Sequence, residues 1–191
     1  MHSSTAPLII LDRDGVINQD RDDYIKSPDE WVPIDQSLEA IARLTHLGWH
    51  VAVATNQSGV ERGLFDINVL HAIHNKMTSA VVSKGGRIDA IFFCPHAPSS
   101  GCTCRKPAPG LLQDIAARYG RSLKAVPNVG DSLRDLQAAA ALECDPWLVL
   151  TGKGQKTRAE NPRLPEGTKV VANLSEAVDQ ILLRRGVTPA G

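Results

Sequence analysis

Short apolar runs alternate along the chain with stretches whose apolar residues recur every three or four positions. Leu8 to Leu11 is a continuous apolar run, as suits a strand buried on both faces. Val51 to Ala54 and Ile88 to Phe93 read the same way, followed by Val126 to Val129, Trp147 to Leu150 and a weaker Lys169 to Ala172. Pro127 is awkward inside such a run because it cannot donate to a ladder. Between these lie helical faces: Leu38, Ile41, Ala42 and Leu44; Val69, Leu70, Ile73, Met77, Ala80 and Val81; Leu111, Leu112, Ile115 and Ala116. Asn173 with Glu176 has the spacing of a capping box opening a last helix, whose apolar face is Leu174, Ala177, Val178, Ile181 and Leu182. The alternation predicts an α/β fold, a doubly wound and mostly parallel sheet. Its ligand is expected beyond the carboxyl ends of the strands, where the strand order reverses.

The 191 residues suit one domain over positions 1–191 with a small insertion. Lysines and arginines number 21, as do aspartates and glutamates, so no nucleic-acid or membrane-surface partner is expected. No apolar run approaches the roughly 20 residues that span a bilayer. Met1 to Pro7 lacks the apolar stretch of a signal peptide. A cytoplasmic monomer is the expectation.

The polar residues that follow each apolar run carry the candidate chemistry. Asp12, Arg13, Asp14 and Gly15 follow the first, and Thr55 to Gly59 the second. Cys94 and His96 follow the third, and Gly130 and Asp131 the fourth. If strand geometry persists past Leu11, Asp12 and Asp14 project to the same side. One carboxylate can attack phosphorus, and the other can protonate the leaving alkoxide and then activate water. Such paired carboxylates require a cation, and a hard ion with oxygen ligands, Mg²⁺, fits Asp12, Asp14 and Asp131. Asp135, one helical turn past Asp131, supports the site by orienting a water or a lysine. Thr55, the Asn56 backbone and Lys106 supply donors and positive charge for phosphoryl oxygens. Taken singly, an Asp-Gly turn, a surface lysine and a Gly-Asp helix cap are commonplace; together, each at a strand exit, they form one constellation.

Cys94, His96, Cys102 and Cys104 place four soft or borderline ligands in a Pro- and Ser-rich loop, 94–105. They suit a tetrahedral structural Zn²⁺ that fixes the loop carrying Arg105 and Lys106. The bland alternative is a reactive or disulfide-forming cluster.

The run Asp12-Arg13-Asp14-Gly15, with Thr55-Asn56, Lys106 and Gly130-Asp131 followed by Asp135, resembles the four motifs of the haloacid dehalogenase superfamily. The resemblance implies that Asp12 is the nucleophile and that Asp14 marks a phosphatase. Only a flap over about residues 16–34 and the zinc loop are available to cover the site, so the fold is expected to be essentially capless. Cys94-Pro95-His96 and Cys102-Thr103-Cys104-Arg105-Lys106-Pro107, with Thr55-Asn56-Gln57-Ser58-Gly59, narrow the resemblance to the D-glycero-D-manno-heptose 1,7-bisphosphate 7-phosphatases. These serve heptose precursor synthesis for lipopolysaccharide or other surface glycans. The resemblance implies a phosphorylated sugar substrate lined by Asp20, Arg21, Asp22, Asp23, Tyr24, Thr55, Asn56, Gln57, Ser58, Arg105 and Lys106. Ser132 stands where some relatives carry a substrate-contacting lysine, and Lys153, Lys156 and Arg158 are candidates for the distal phosphate. The rivals are a histidinol-phosphate phosphatase, which shares the motifs and the zinc loop, and a non-enzymatic zinc-binding module on the same fold.

His71 and His74 are expected to be surface or half-buried residues, with no third ligand in view. Cys144 reads as a small buried hydrophobe, and Trp31, Trp49 and Trp147 as packing residues.

Overall fold

The computed structural model describes residues 6–187. Six strands, β1 (Leu8–Leu11), β2 (His50–Asn56), β3 (Ala90–Cys94), β4 (Pro127–Gly130), β5 (Asp145–Val149) and β6 (Lys169–Val171), form one sheet. Their order is β3-β2-β1-β4-β5-β6, and every pairing is parallel. The chain steps outward from β1 to β2 and β3, then returns to β4 on the other side of β1. The reversal therefore lies between β1 and β4, where a parallel sheet leaves a crevice for a ligand.

Burial on both faces explains the continuous apolar strands. Ile9 and Leu11 point into one core with Val51, Val53 and Val129. Leu8 and Ile10 point into the other with Ala52, Ala54 and Cys94. The helices α1 (Asp35–His46), α2 (Ile67–Ser83) and α6 (Leu174–Arg184) cover the first face through Leu38, Ile41, Ile73, Met77, Val178 and Ile181. The helices α3 (Gly110–Tyr119) and α4 (Leu133–Ala141) cover the second through Leu111, Leu112, Ile115, Ala138 and Ala139. Asn173 caps α6 by accepting from Glu176 N at 3.0 Å, while Glu176 reaches back to Ala172 N rather than to the cap itself.

Strand ends differ from the expected runs in an instructive way. β2 continues through Thr55 and Asn56, which pair with Phe93 and Cys94. The parallel ladder carries these polar residues to the carboxyl edge as part of the strand. Pro127 is accommodated as the first residue of β4; the pairing with β1 begins only at Asn128. A further short helix, α5 (Gly154–Glu160), buries only Gly154 and Thr157 and so carries no apolar period.

The flap between β1 and α1 is pinned to the body. Asn18 bridges to Asp14 and Pro33, and Ile34 N donates to Ile17 O at 3.0 Å. Trp31 lies in the flap at 1% exposure and is the largest side chain holding it down. Its indole N–H finds no acceptor, and the ring acts through packing and through the Lys76 ammonium 6.0 Å from its centroid. Trp31→Ala is expected to cost about 3–5 kcal/mol of stability. Trp31→Phe, which removes the unpaired N–H and keeps most of the packing, is expected to cost clearly less; chemical denaturation of both variants checks the order.

Candidate active site

Four strand exits meet at the carboxyl edge of the sheet. Asp12 follows β1 and is anchored by its backbone N–H to Val129 O of β4 at 2.9 Å. Lys106, at 4% exposure, places its ammonium 3.0 Å from Asp12 Oδ1 and 2.6 Å from Asp135 Oδ1. It also donates to Ala54 O of β2 at 2.6 Å. Asp135 is fixed from its other side, where Oδ2 accepts from Ser132 N at 3.0 Å and Ser132 Oγ at 2.6 Å. Asp131 Oδ2 accepts from Lys153 N at 2.7 Å. Gly15 and Gly152 flank that carboxylate so closely that a Cβ on either would sit 2.0 or 2.2 Å from Asp131 Oδ2. Both adopt a positive φ, of 78° and 55°, so glycine satisfies a space and a backbone requirement together.

Carboxylate oxygens of Asp12, Asp131 and Asp135 lie within 4.8 Å of one another. Burial raises Asp12 to about 7, aided by the charges of Asp135 and Asp14 and opposed by Lys106. Burial, then the charges of Asp135 and Asp12, raise Asp131 to about 8. Burial also raises the cost of ionising Asp135, but its Lys106 and Ser132 contacts prevail and hold it below the usual carboxylate range. One lysine does not neutralise three buried carboxylates, and the oxygen-only donor set suits Mg²⁺. Lys106 and Ser132 flank Asp135, and Asp12 and Asp131 are the carboxylates of this group that could hold such an ion.

Asp14, the third carboxylate expected for the metal, falls outside the group of Asp12, Asp131 and Asp135, and its own oxygens are engaged by neighbours. Arg13 Nε and Nη2 donate to Asp14 Oδ1 and Oδ2, each at 3.0 Å. Asn18 Nδ2 adds a bond to Oδ1 at 3.0 Å and Gln57 Nε2 one to Oδ2 at 2.9 Å. Burial acts to raise Asp14, but the Arg13 charge and these hydrogen bonds hold it below its ordinary value. Asp14 nevertheless lines the same cavity as Asp12.

Behind Asp14 is a polar network that the chain's pattern did not reveal. Arg13 is itself buried, donates to Gln57 Oε1 at 3.2 Å, and sits 3.4 Å from His74 Nε2 on α2. His74, expected to be a surface or half-buried residue, is 6% exposed. Burial and the Arg13 charge lower its pKa to about 3, so it stays neutral and accepts from Arg13. Gln57 continues the network to Thr55 Oγ1 at 2.9 Å. Arg13 could have been suspected from its place between two catalytic candidates, where strand alternation turns it inward. Nothing local pointed to His74.

The loop after β3 brings the four soft ligands together. Cys94 Sγ lies 3.7 Å from Cys102 Sγ and 3.2 Å from Cys104 Sγ; Cys102 and Cys104 are 3.5 Å apart. His96 Nδ1 is 3.5 Å from Cys94 Sγ and 3.2 Å from Cys104 Sγ. A tetrahedron with Zn–S bonds of about 2.3 Å has edges of roughly 3.8 Å, so the cluster is of the size zinc requires. All the cysteines are free thiols. Asn56 clamps the end of this loop, accepting from Lys106 N at 3.1 Å and donating to Lys106 O at 3.0 Å. The side chain of Asn56 thus positions Lys106.

The cavity of about 200 Å³ is lined by Asp12, Asp14, Thr55 to Ser58, Arg105, Lys106 and Asp131, and by Asp20, Arg21, Asp22 and Tyr24 from the flap. Asp23 is not part of its wall; it is exposed and pairs with Arg21 and Lys26. Of the distal-phosphate candidates, Lys153 lines the cavity but is paired with Asp20 at 2.9 Å. Lys156 and Arg158 do not reach it. Arg134, which no local motif marks, does.

The sheet order and this carboxylate-lysine site define a phosphohydrolase of the HAD-like class. Residues 103–177 match the HAD-hydrolase-like family, and residues 8–138 match the polynucleotide kinase 3 phosphatase family. A D-glycero-β-D-manno-heptose-1,7-bisphosphate 7-phosphatase of Bordetella bronchiseptica is 60% identical over 92% of this chain and 97% of its own. One from Pseudomonas aeruginosa is 53% identical over the same shares. The crystal structure of the Bordetella bronchiseptica D,D-heptose 1,7-bisphosphate phosphatase, complexed with magnesium and phosphate, superposes with a TM-score of 0.91 at 59% identity, covering 93% of this chain and 99% of that one. That from Burkholderia thailandensis has a TM-score of 0.73 at 50% identity, covering 92% and 98%. The chain belongs to the family of D-glycero-β-D-manno-heptose-1,7-bisphosphate 7-phosphatases.

The raised carboxyls give a pH signature. Asp12 and Asp131 are held above their ordinary 3.8, so the folded metal-free protein retains protons that the unfolded chain has lost. Stability therefore falls as pH rises towards about 8. His74 acts in the opposite sense, but only below its ordinary 6.5. Zinc-loaded, magnesium-free protein is expected to melt at a lower temperature at pH 8 than at pH 6.5, and magnesium to raise the melting temperature more at pH 8. A melting temperature that climbs from pH 6.5 to 8 without magnesium would contradict this.

Proposed function

We propose that this chain hydrolyses the 7-phosphate of D-glycero-β-D-manno-heptose 1,7-bisphosphate by way of an aspartyl-phosphate on Asp12. The observation that carries the reading is the buried group of Asp12, Asp131 and Asp135 around Lys106, at the point where the strand order reverses, with Asp14 on the same cavity. The quoted relatives are named for this bisphosphate and its β anomer, which supports it over histidinol phosphate. A module that only binds zinc has no use for a buried carboxylate cluster.

In this mechanism a carboxylate oxygen of Asp12 attacks phosphorus and the bond from phosphorus to the C7 oxygen breaks. Asp14 gives that oxygen a proton. Its Arg13, Asn18 and Gln57 contacts aim the carboxyl into the cavity, and the dianionic phosphate raises its hold on a proton as substrate binds. In the second half Asp14, now ionised, takes a proton from the water that attacks the aspartyl-phosphate. Thr55 and Lys106 stabilise charge on the phosphoryl oxygens. Magnesium held by Asp12 and Asp131 supplies further charge neutralisation at those oxygens. Arg105 and residues 20–22 and 24 of the flap bind the sugar end, with the zinc loop holding Arg105 and Lys106 in place.

The same reading makes the enzyme a cytoplasmic monomer, one domain over residues 1–191, acting on a small sugar phosphate without nucleic-acid or membrane partners. It would supply heptose precursors for lipopolysaccharide or other surface glycans. The balanced charge supports this, and among the described residues no helix is long and apolar enough to cross a membrane.

Phosphate release from the heptose bisphosphate and from histidinol phosphate, with and without Mg²⁺, tests the proposal. Magnesium-dependent turnover of the heptose substrate alone is expected. Asp12→Asn is expected to lower kcat by at least about 10³-fold with zinc content retained. Comparable turnover of histidinol phosphate would refute the substrate, and substantial activity in Asp12→Asn would refute the nucleophile.

A further inference from the structure

Six cationic side chains line the active-site cavity: Arg13, Arg21, Arg105, Lys106, Arg134 and Lys153. Four are matched to carboxylates. Arg13 is held by Asp14, Arg21 by Asp23, Lys106 by Asp12 and Asp135, and Lys153 by Asp20. Arg105 and Arg134 have no carboxylate partner among the described residues; Arg105 donates to His96 O at 3.1 Å. The two arginines come from separate elements, the end of the zinc loop and the first turn of α4, yet they line the same two spaces. Besides the active-site cavity, both border an adjoining recess of about 320 Å³ walled by Ala97, Pro98, Gly101 and Pro107.

Two guanidinium groups that converge without an acid between them repel each other. A dianion seated between them removes the repulsion and meets two planar forks of N–H donors. Ser132 does not compete for it, because its hydroxyl already donates to Asp135.

We propose that Arg134, together with Arg105, forms the subsite for the distal phosphate of the bisphosphate substrate, and that Arg134 is a determinant of selectivity for bisphosphates over monophosphates. This rests on the function proposed above. The reacting phosphate is met by Lys106 and the metal, and the second phosphate brings two further negative charges that the other cavity cations, already paired, do not balance.

The test compares wild type, Arg134→Gln and Arg134→Lys on the heptose bisphosphate and on p-nitrophenyl phosphate, a monophosphate. Arg134→Gln is expected to raise KM for the bisphosphate about 10- to 100-fold, with kcat changed far less. The selectivity for bisphosphate over p-nitrophenyl phosphate is expected to drop by at least tenfold, and Arg134→Lys to recover part of it. Arg134 is exposed, so a melting temperature near wild type confirms that the variants fold. A wild type that prefers the bisphosphate and an Arg134→Gln variant that keeps that preference would overturn the subsite alone. A wild type without any such preference would overturn the functional reading and the subsite with it.

Discussion

A buried ammonium group requires negative charge beside it, and a cluster of buried carboxylates requires positive charge; at this site each is the other's partner. Burial acts against the charged form of Lys106, yet Asp12 and Asp135 hold its pKa well above the ordinary lysine value. The lysine in turn pulls both carboxylates down, enough to hold Asp135 below its ordinary value but not Asp12, which burial keeps raised together with Asp131. The resulting imbalance is directional. It leaves an unmet demand for a cation between the ends of β1 and β4, the place where a phosphate dianion and its magnesium would settle.

The rest of the architecture keeps those charges in register. Parallel pairing of β1 with β2 and β4 fixes the relative heights of Asp12, Thr55 and Asp131. The hydroxyl and backbone of Ser132 orient Asp135 at the start of α4. The long reach of Lys106 comes from outside the sheet, on a loop with little apolar content of its own. The Cys94, His96, Cys102 and Cys104 cluster closes one end of that loop, and Asn56 clamps the other through both backbone groups of Lys106. A metal on that cluster would, with the Asn56 amide, do for the loop what a hydrophobic core does elsewhere.

The strands and the site's carboxylates were legible in the sequence for one reason. A parallel sheet buried on both faces writes its strands as continuous apolar runs, so the polar residues that end them stand out. Leu8–Leu11 and the Asp12 that follows are the clearest case. The zinc loop was legible because its ligands are close in sequence. What was not legible depends on distant contacts or on weak apolar pattern. The contact from Arg13 to His74 joins residues 61 apart, and Arg13 in turn holds both oxygens of the Asp14 carboxylate. The role of Asn56 as a clamp joins residues 50 apart. α5 packs through Gly154 and Thr157, which no hydrophobic period marks. Arg134 stands out only in the folded cavity, where four of the cations are matched to carboxylates and it shares with Arg105 the lack of such a partner.

The central claim is that Asp12 carries the phosphoryl group between the two halves of the reaction. Quenching the enzyme during turnover, reducing it with borohydride and mapping its peptides tests this directly, because an aspartyl-phosphate is reduced to homoserine. Homoserine at position 12 is the result the account predicts. Homoserine at another aspartate, or an unmodified Asp12 in an enzyme that is turning over, would contradict it.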